Sequence, residues 1–463
     1  MYEHDTIAAI ATPRGEGGVA IIKISGPNAE SIVRKVFLFK HPPAAHPPRS
    51  HHLYFGHVID PDSNQILDQG FLTIMRAPRS HTGEDVAEIH CHGGSFLAQR
   101  ILTVVLRQGA RVAQAGEFTK RAFLNSRLDL SQAEAVLDLI QAKSDQGVRL
   151  AWEQLAGHLS ETCATLRERL LQLTAYVEAY IDFPDEDIPE RAQHELAHDL
   201  TALINDIATL ARTFTQGKVY REGVRTAIIG KPNVGKSSLL NLLVGAERAI
   251  VTTVPGTTRD IIEETVLVGG IPLVLWDTAG LRHTTDEVER IGVERARAGI
   301  AQAELILAMF DSSRPLDNED EIVLDAISTR KAILILNKSD LPQLLPATAL
   351  RQRLSGNPLV RLSAKTGEGR SALEACVQET VFSGNPLNSA DDQTIISHVR
   401  HHDALIKAEQ RLQEALNGLA TGVPIDLIAV DLHAALHHIG EITGHVTSED
   451  ILDQIFREFC IGK

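Results

Sequence analysis

The chain has 463 residues, 43% of them hydrophobic and 23% charged, with 45 Lys and Arg against 60 Asp and Glu. At about 150 residues per domain this predicts roughly three domains with real cores, which excludes wholesale disorder, and no apolar run approaches the roughly 20 residues of a membrane span. The net charge of −15 argues against nucleic-acid binding over the whole surface. The start, Met1-Tyr2-Glu3-His4-Asp5, lacks the pattern of a secretory signal, so a cytoplasmic location is expected, with Cys91, Cys163, Cys376 and Cys460 reduced.

Residues 1–118 alternate strand-like and helix-like runs: Ile7 to Ala11, Val19 to Ser25, a helix from Pro27, strands near Phe71 to Met75 and Ala87 to Cys91, and a helix after Gly94. This reads as an α+β domain, with the Pro- and His-rich stretch from His41 to His52 as a surface loop. His90-Cys91-His92 reads as a strand end and not as a metal site, because alternate strand residues face opposite ways.

Residues 119–217 are helical. Ser131 to Glu134 has capping-box spacing, and Leu166, Leu170, Leu173, Val177 and Ile181 form an apolar stripe. The acidic run Asp182 to Asp187 reads as a solvated kink at Pro184 and not as a divalent-metal site. Residues 218–380 repeat strand, glycine turn and helix, with strands at Thr226 to Ile229, Leu273 to Trp276, Leu305 to Phe310, Ile333 to Leu336 and Leu359 to Leu362, which predicts a mostly parallel sheet covered by helices. Residues 381–463 return to helical stripes, one with Leu405, Leu412, Leu416 and Leu419, another with Ile428, Leu432, Ala435 and Ile439. Each helical segment alone leaves an apolar face uncovered, so the two are expected to form one domain interrupted by the α/β insertion.

Gly230-Lys231-Pro232-Asn233-Val234-Gly235-Lys236-Ser237 fits the P-loop pattern and follows a strand. Backbone N–H groups would cradle phosphates, Lys236 would neutralise them, and the Ser237 hydroxyl would ligate Mg²⁺. Asp277-Thr278-Ala279-Gly280 follows the next parallel strand, placing Asp277 near magnesium and the Gly280 N–H near the γ-phosphate. Asn337-Lys338-Ser339-Asp340 supplies a carboxylate that guanine N1–H and amine can both meet, which selects GTP over ATP. Ser363-Ala364-Lys365 resembles the last GTPase motif. Leu281 stands where simpler GTPases place a water-orienting Gln, so another group is needed, with Arg282 and the cluster Asp286 to Glu289 nearest. A local basic patch for nucleic-acid phosphates is read at Arg100, Arg107, Arg111, Lys120, Arg121 and Arg127, opposed in sequence only by Glu117, though helices merely exposing cations explain it equally well.

With Gly256-Thr257-Thr258-Arg259-Asp260, Thr82-Gly83-Glu84-Asp85, His92-Gly93-Gly94, Ala122-Phe123-Leu124-Asn125, Asp182 to Glu186 and the final Cys460-Ile461-Gly462-Lys463, the chain resembles, over essentially its whole length, the bacterial MnmE (TrmE) family of tRNA-modifying GTPases. The resemblance implies a multidomain α/β protein: an N-terminal α+β tetrahydrofolate-binding and dimerisation domain, a discontinuous all-α domain, and an inserted Ras-like G domain that pairs with a second copy when potassium is bound. Working with FAD-containing MnmG, the family adds an aminomethyl or carboxymethylaminomethyl group to C5 of the wobble uridine of certain tRNAs. The one-carbon unit comes from a tetrahydrofolate derivative, in 5-formyl or methylene form.

By position, the resemblance implies a GTP site that adds Ser238 and Thr252-Thr253-Val254-Pro255-Gly256-Thr257-Thr258 to the motifs above. Ser237 and Thr258 would hold Mg²⁺, and Asn233, Thr252, Val254 and Thr257 K⁺. Glu289 would orient the attacking water, and Cys460 would serve tRNA modification but not hydrolysis. Folate would meet Lys23, Glu88, Arg127 and Lys463, with Lys23 standing where Arg is usual and Arg127 where Lys is usual. Two rivals remain: an Era-like ribosome-assembly GTPase switch without RNA chemistry, and a folate-dependent one-carbon transferase with a regulatory GTPase.

Overall fold

A computed structural model describes residues 5–13, 15–41, 47–182, 191–245, 264–275, 302–354, 356–382 and 394–463. They divide into two compact units, one of Met1–Leu137, Gln154–Arg167 and Leu436–Lys463, the other of Asp138–Glu153 and Glu168–Ala435.

In the first unit a seven-stranded sheet is built from β1 (Ile7–Ile10), β2 (Val19–Ser25), β3 (Phe37–Phe39), β4 (Leu53–Asp60), β5 (Gln65–Met75), β6 (Val86–His92) and β7 (Arg111–Val112), in the order β3-β4-β5-β6-β2-β1-β7. All neighbours are antiparallel except β1 and β7. Ile22, Ile24, Leu72, Ile74 and Ile89 point to one face, where they bury against Ile32, Val33 and Val36 of α1 (Ala29–Val36) and Ile101, Val104 and Val105 of α2 (Ser95–Arg107). Strand alternation then sends Lys23 and Glu88, which are register partners on β2 and β6, to the opposite face. The strands β3 and β4 flank the Pro- and His-rich stretch and were not anticipated from the sequence.

Helices α3 (Glu117–Leu124) and α4 (Leu130–Gln141) follow. The cap of α4 lies two residues earlier than the Ser131 to Glu134 spacing suggested: Asp129 Oδ1 accepts from the Gln132 N–H at 2.9 Å, and Gln132 Oε1 accepts from the Asp129 N–H at 3.0 Å. The reciprocal logic of a capping box holds with Asp and Gln as its ends. Further along the chain come α5 (Asp145–Ala156), α6 (His158–Asp182), α7 (Arg191–Arg212) and α8 (Phe214–Glu222).

The sheet of the second unit comprises β8 (Val224–Ile229), β9 (Glu264–Val268), β10 (Ile271–Leu275), β11 (Leu305–Asp311), β12 (Ala332–Asn337) and β13 (Leu359–Arg361), in the order β13-β12-β11-β8-β10-β9. All pairs are parallel except β9 with β10, joined by Gly269 and Gly270 at φ 60° and 78°, the left-handed geometry that a tight two-residue hairpin needs. Helices α9 (Lys236–Val244), α10 (Asn318–Ile327), α11 (Ala347–Arg353) and α12 (Arg370–Val381) cover it. One face buries Leu273, Leu307 and Ile333 against Leu239, Leu243 and Leu373, the other buries Ile306, Phe310 and Leu334 against Leu324, Ile327 and Leu350. Burial on both faces explains the unbroken apolar runs of β11 and β12.

Helices α13 (Val399–Thr421), α14 (Ile425–Thr443) and α15 (Glu449–Arg457) complete the chain. Helix α13 packs along α7 and buries Leu405, Ala408, Leu412 and Ala415, and α14 buries the expected Ile428, Leu432, Ala435 and Ile439. Within the second unit Asp138 accepts from Arg221 Nε at 2.7 Å and pairs with His398 Nε2 at 2.7 Å, fastening the helix that leads into β8.

Candidate functional site

The phosphate loop begins where β8 ends. Gly230, at φ 150°, passes so near β11 that a Cβ there would stand 2.5 Å from the Met309 carbonyl oxygen, and Gly235, at φ 108°, leaves no room beside Asn337. Asn233 occupies the left-handed region at φ 59°, which Asn tolerates better than most residues. The loop opens α9 at Lys236, held by buried Leu239, Leu240 and Leu243, so the N–H groups of its first turn face the loop, and Ser237 and Ser238 are exposed there. Lys236 Nζ donates to the carbonyls of Gly230 at 2.7 Å and Lys231 at 2.9 Å, and burial lowers its proton affinity.

Asn337, at the end of β12, joins three motifs. Its Nδ2 donates to the Val234 carbonyl at 2.7 Å and its Oδ1 accepts from the Ala364 N–H at 2.9 Å. Asp340 Oδ1 accepts from Ser363 Oγ at 2.7 Å, so the last two motifs are physically one platform. Lys338, at φ 62°, sends Nζ 2.6 Å from Asp311 Oδ2. Burial alone would raise the Asp311 carboxyl, and the hydrogen bonds from Lys338 and Ser313 outweigh it and hold it below the usual range. Ala364 is buried while Lys365 and Asp340 are exposed. The residues Thr252 to Thr258, Asp277 to Gly280, Leu281, Arg282 and Glu289, all named from the sequence, lie outside the described residues, as does the acidic run from Phe183 onward.

A second centre lies on the outer face of β2 and β6. Lys23 Nζ stands 4.9 Å from the centre of the Phe118 ring, and the Phe118 N–H donates to the Lys463 carbonyl at 3.2 Å. The final residues reach this place because Ile461 bridges to Ala115 and Gly462, at φ 101°, is pressed against Ile10, where a Cβ would meet the carbonyl oxygen at 2.5 Å. Burial, opposed by Glu88 and reinforced by Lys463, brings the Lys23 ammonium down to about 8. Arg127 enters beside Gly83, the loop being fixed by Asn125 Nδ2 donating to the Thr82 carbonyl at 2.7 Å.

His81 sits in the field of Lys23, Lys463 and Arg127 together; burial first, then these three cations, bring it down to about 4, so its imidazole is neutral at pH 7. Three of the four positions named from the resemblance, Lys23, Arg127 and Lys463, therefore act on one residue that sequence reading missed. Its only signal was adjacency to Thr82-Gly83-Glu84-Asp85. Cys460, on the same tail, is exposed.

The basic patch requires correction. Arg107 pairs with Asp60 at 2.9 Å and Asp62 at 3.1 Å, Arg111 with Asp5 at 2.6 Å and Glu117 at 2.7 Å, and Lys120 with Asp453 at 2.6 Å. Arg100 donates to Gln65, and Arg121 is 2% exposed among Asp5, Glu84 and Glu117. Acids pair with four members of a run that looked nearly unopposed, while Arg100 and Arg127, both exposed, form no ion pair with an acid among the named pairs. Cys91 is buried in the core, where burial and Asp68 push its thiol up to about 11, while His92 turns to Asp68 at 2.7 Å. No metal-binding cluster of His, Cys, Asp and Glu occurs among the described residues.

A family model described as "MnmE helical domain" matches residues 130–460, and one described as "GTP-binding protein TrmE N-terminus" matches residues 6–127. The chain is similar to the tRNA modification GTPase MnmE of Desulforamulus reducens, 45% identical over 460 residues and 99% of each chain. The protein of that name from Bacillus subtilis is 45% identical over 99% of this chain and 100% of that one. That from Lactiplantibacillus plantarum is 46% identical over 100% and 99%. Among solved structures the G domain of the T. maritima FeoB iron transporter is 28% identical, covering 34% of this chain and 98% of that chain with a TM-score of 0.26. The matched models and relatives span both units, the phosphate loop and the final tail, and the chain belongs to the MnmE (TrmE) family of tRNA modification GTPases.

Proposed function

We propose that the chain is a potassium-activated GTPase that, with an FAD-containing partner of the MnmG kind, adds an aminomethyl or carboxymethylaminomethyl group to C5 of the wobble uridine of certain tRNAs. The observation that carries this reading is the seating of the Cys460 to Lys463 tail against the first domain, beside Lys23 and Phe118. An Era-like switch accounts for the P-loop and the guanine platform but gives that second centre no task.

In the G domain, Lys236 meets the outer phosphates and Asp340 accepts from guanine N1–H and its amine, a donor pair adenine lacks. The hydroxyl of Ser237, exposed on the first turn of α9, and that of Thr258 are hard oxygen donors suited to Mg²⁺. Asn233, exposed on its left-handed turn, with Thr252, Val254 and Thr257, supplies oxygens for K⁺. When bound there, a monovalent cation would supply positive charge against that developing between the β- and γ-phosphates. Glu289 orients the attacking water, which Leu281 cannot do.

At the second centre Lys23, Arg127 and Lys463 offer positive charge to the carboxylates or pterin oxygen of a tetrahydrofolate derivative, in 5-formyl or methylene form, and Glu88 accepts from pterin N–H groups. Cys460 acts in tRNA modification and has no part in GTP hydrolysis. The exposed apolar strip of Leu38, Leu53, Phe55 and Phe71 on β3, β4 and β5 supports a homodimer formed through the first domain. Phe55 and Phe71 lie ring to ring at 5.4 Å there. A cytoplasmic location accords with a tRNA substrate.

Two titrations of the full chain test this. GTP turnover in KCl is expected to exceed that in NaCl at equal ionic strength by a large factor, and 5-formyltetrahydrofolate is expected to bind. Equal rates in the two salts would remove the potassium site, and absence of folate binding would favour the Era-like reading.

A further inference from the structure

Among the described residues, Lys236, Asn337 and Lys231 each fasten the P-loop, and the nucleotide motifs account for the first two. Lys236 donates to the carbonyls of Gly230 and Lys231, and Asn337 donates to that of Val234. Lys231 stands at a position where the P-loop pattern specifies no residue type. Its ammonium lies 2.7 Å from Oδ2 of Asp317 and 2.7 Å from Oδ2 of Asp320. The Lys231 side chain is 9% exposed and that of Asp320 4%.

Both carboxylates are presented by one rigid feature. Asp317 caps α10, its Oδ1 accepting from the N–H groups of Glu319 and Asp320 at 3.1 Å each, while Asp320 Oδ2 accepts from the Asp317 N–H at 3.2 Å. Asp320 Oδ1 is buried and has no hydrogen-bond partner among the described residues, so Lys231 is the chief counter-charge of a carboxylate shut away from water. A buried charge of this kind holds its partner in place, because separating the two strands a charge in a medium that solvates it poorly.

The donor count of Lys236 gives this clamp a consequence. An ammonium has three protons, and two are committed to the Gly230 and Lys231 carbonyls. Meeting the outer phosphates of a nucleotide redirects protons to phosphate oxygens, and the tie across the first turn of the loop weakens just when the loop must keep its shape. Asn337 holds only the far end, at Val234. Building on the GTPase reading, we infer that Lys231, clamped by Asp317 and Asp320, is a positioning residue that holds the first turn of the P-loop in its phosphate-binding shape while nucleotide binds and leaves. Its ammonium faces α10 and not the phosphates, so it sets affinity and exchange and leaves the chemical step alone.

The test uses the full-length protein, with steady-state GTP hydrolysis in KCl and the release of a fluorescent GDP analogue. Lys231→Met removes the charge and keeps much of the stem. Asp317→Asn keeps the helix cap, since Asn caps as well as Asp, and removes one charge of the clamp. Lys231→Met is expected to raise KM for GTP and the GDP release rate about tenfold or more with kcat within about twofold. Asp317→Asn is expected to move both in the same direction by less, and Lys231→Arg to restore most of the wild-type values. If Lys231→Met does not fold, Asp317→Asn and Lys231→Arg decide the matter. KM and release within twofold of wild type in Asp317→Asn, or kcat falling with the folded fraction at unchanged KM, would overturn the inference. Absence of GTP turnover in the wild type would instead remove the GTPase reading beneath it.

Discussion

Gly462→Ala separates the two centres of this chain. Gly462 has φ 101°, and an added Cβ would stand 2.5 Å from the Ile10 carbonyl oxygen and 3.0 Å from Ala11 Cα, backbone atoms that cannot swing aside. The left-handed conformation costs an alanine roughly 1 to 2 kcal/mol. Shifting the tail also strains the Phe118 N–H to Lys463 bond at 3.2 Å and the Ile461 bridge to Ala115, each worth about 1 kcal/mol. The sum, about 3 kcal/mol, lowers the ratio of seated to unseated tail by about two orders of magnitude. Because Lys463 is delivered by that tail, calorimetric titration with 5-formyltetrahydrofolate should show affinity falling by up to the same factor, while GTP turnover in KCl stays near wild type. Folate affinity within threefold of wild type would refute the reasoning.

In the G domain, Gly235→Ala would place a Cβ 2.2 Å from Asn337 Nδ2 at φ 108°, displacing the side chain that joins Val234 to Ala364. Fluorescent-nucleotide titration should show affinity reduced by about a hundredfold or more, since strain and two buried hydrogen bonds are lost together, and an unchanged dissociation constant would contradict the geometry. Lys23, with its ammonium lowered to about 8 from 10.5, attracts an anionic ligand fully below that pH and loses the attraction above it. Folate affinity should therefore decline from pH 7 to pH 9, whereas the contribution of this group to folding stability rises from about 8 to 10.5, where the unfolded chain holds the extra proton; a flat binding profile would show that Lys23 does not meet the ligand's charge. Cys460→Ser should abolish the tRNA product in a reconstituted reaction with GTP turnover intact, and loss of both would place the thiol in a structural role. Glu289→Ala should bind GTP normally and hydrolyse it slowly, and unchanged turnover would remove Glu289 from the mechanism.

Much of this arrangement was legible in the residues because it rests on local periodicity. The alternation in β2 and the unbroken apolar runs of β11 and β12 announce a half-buried and a fully buried strand, and the P-loop falls at the strand-to-helix junction its glycines require. Strand β9 escaped notice although Gly269-Gly270 marks its hairpin, since one edge strand of five residues carries little pattern. What the sequence could not display is pairing between distant segments. Arg121 looked like a surface cation until Asp5 and Glu84 closed on it, and His81 gained its meaning only when Lys23, Arg127 and Lys463 came round it from three other parts of the chain. The Lys231 clamp is of the same kind, its acids lying more than eighty residues away.

In the proposed function one chain couples a GTP site to one-carbon chemistry on tRNA. The direct measurement is nucleoside analysis by mass spectrometry of tRNA incubated with the full-length protein, its FAD-containing partner, GTP, KCl and methylenetetrahydrofolate. A mass increase at the wobble uridine is expected, and it should disappear when GTP, the folate or the chain itself is withheld. Active GTP hydrolysis beside an unmodified uridine would contradict it.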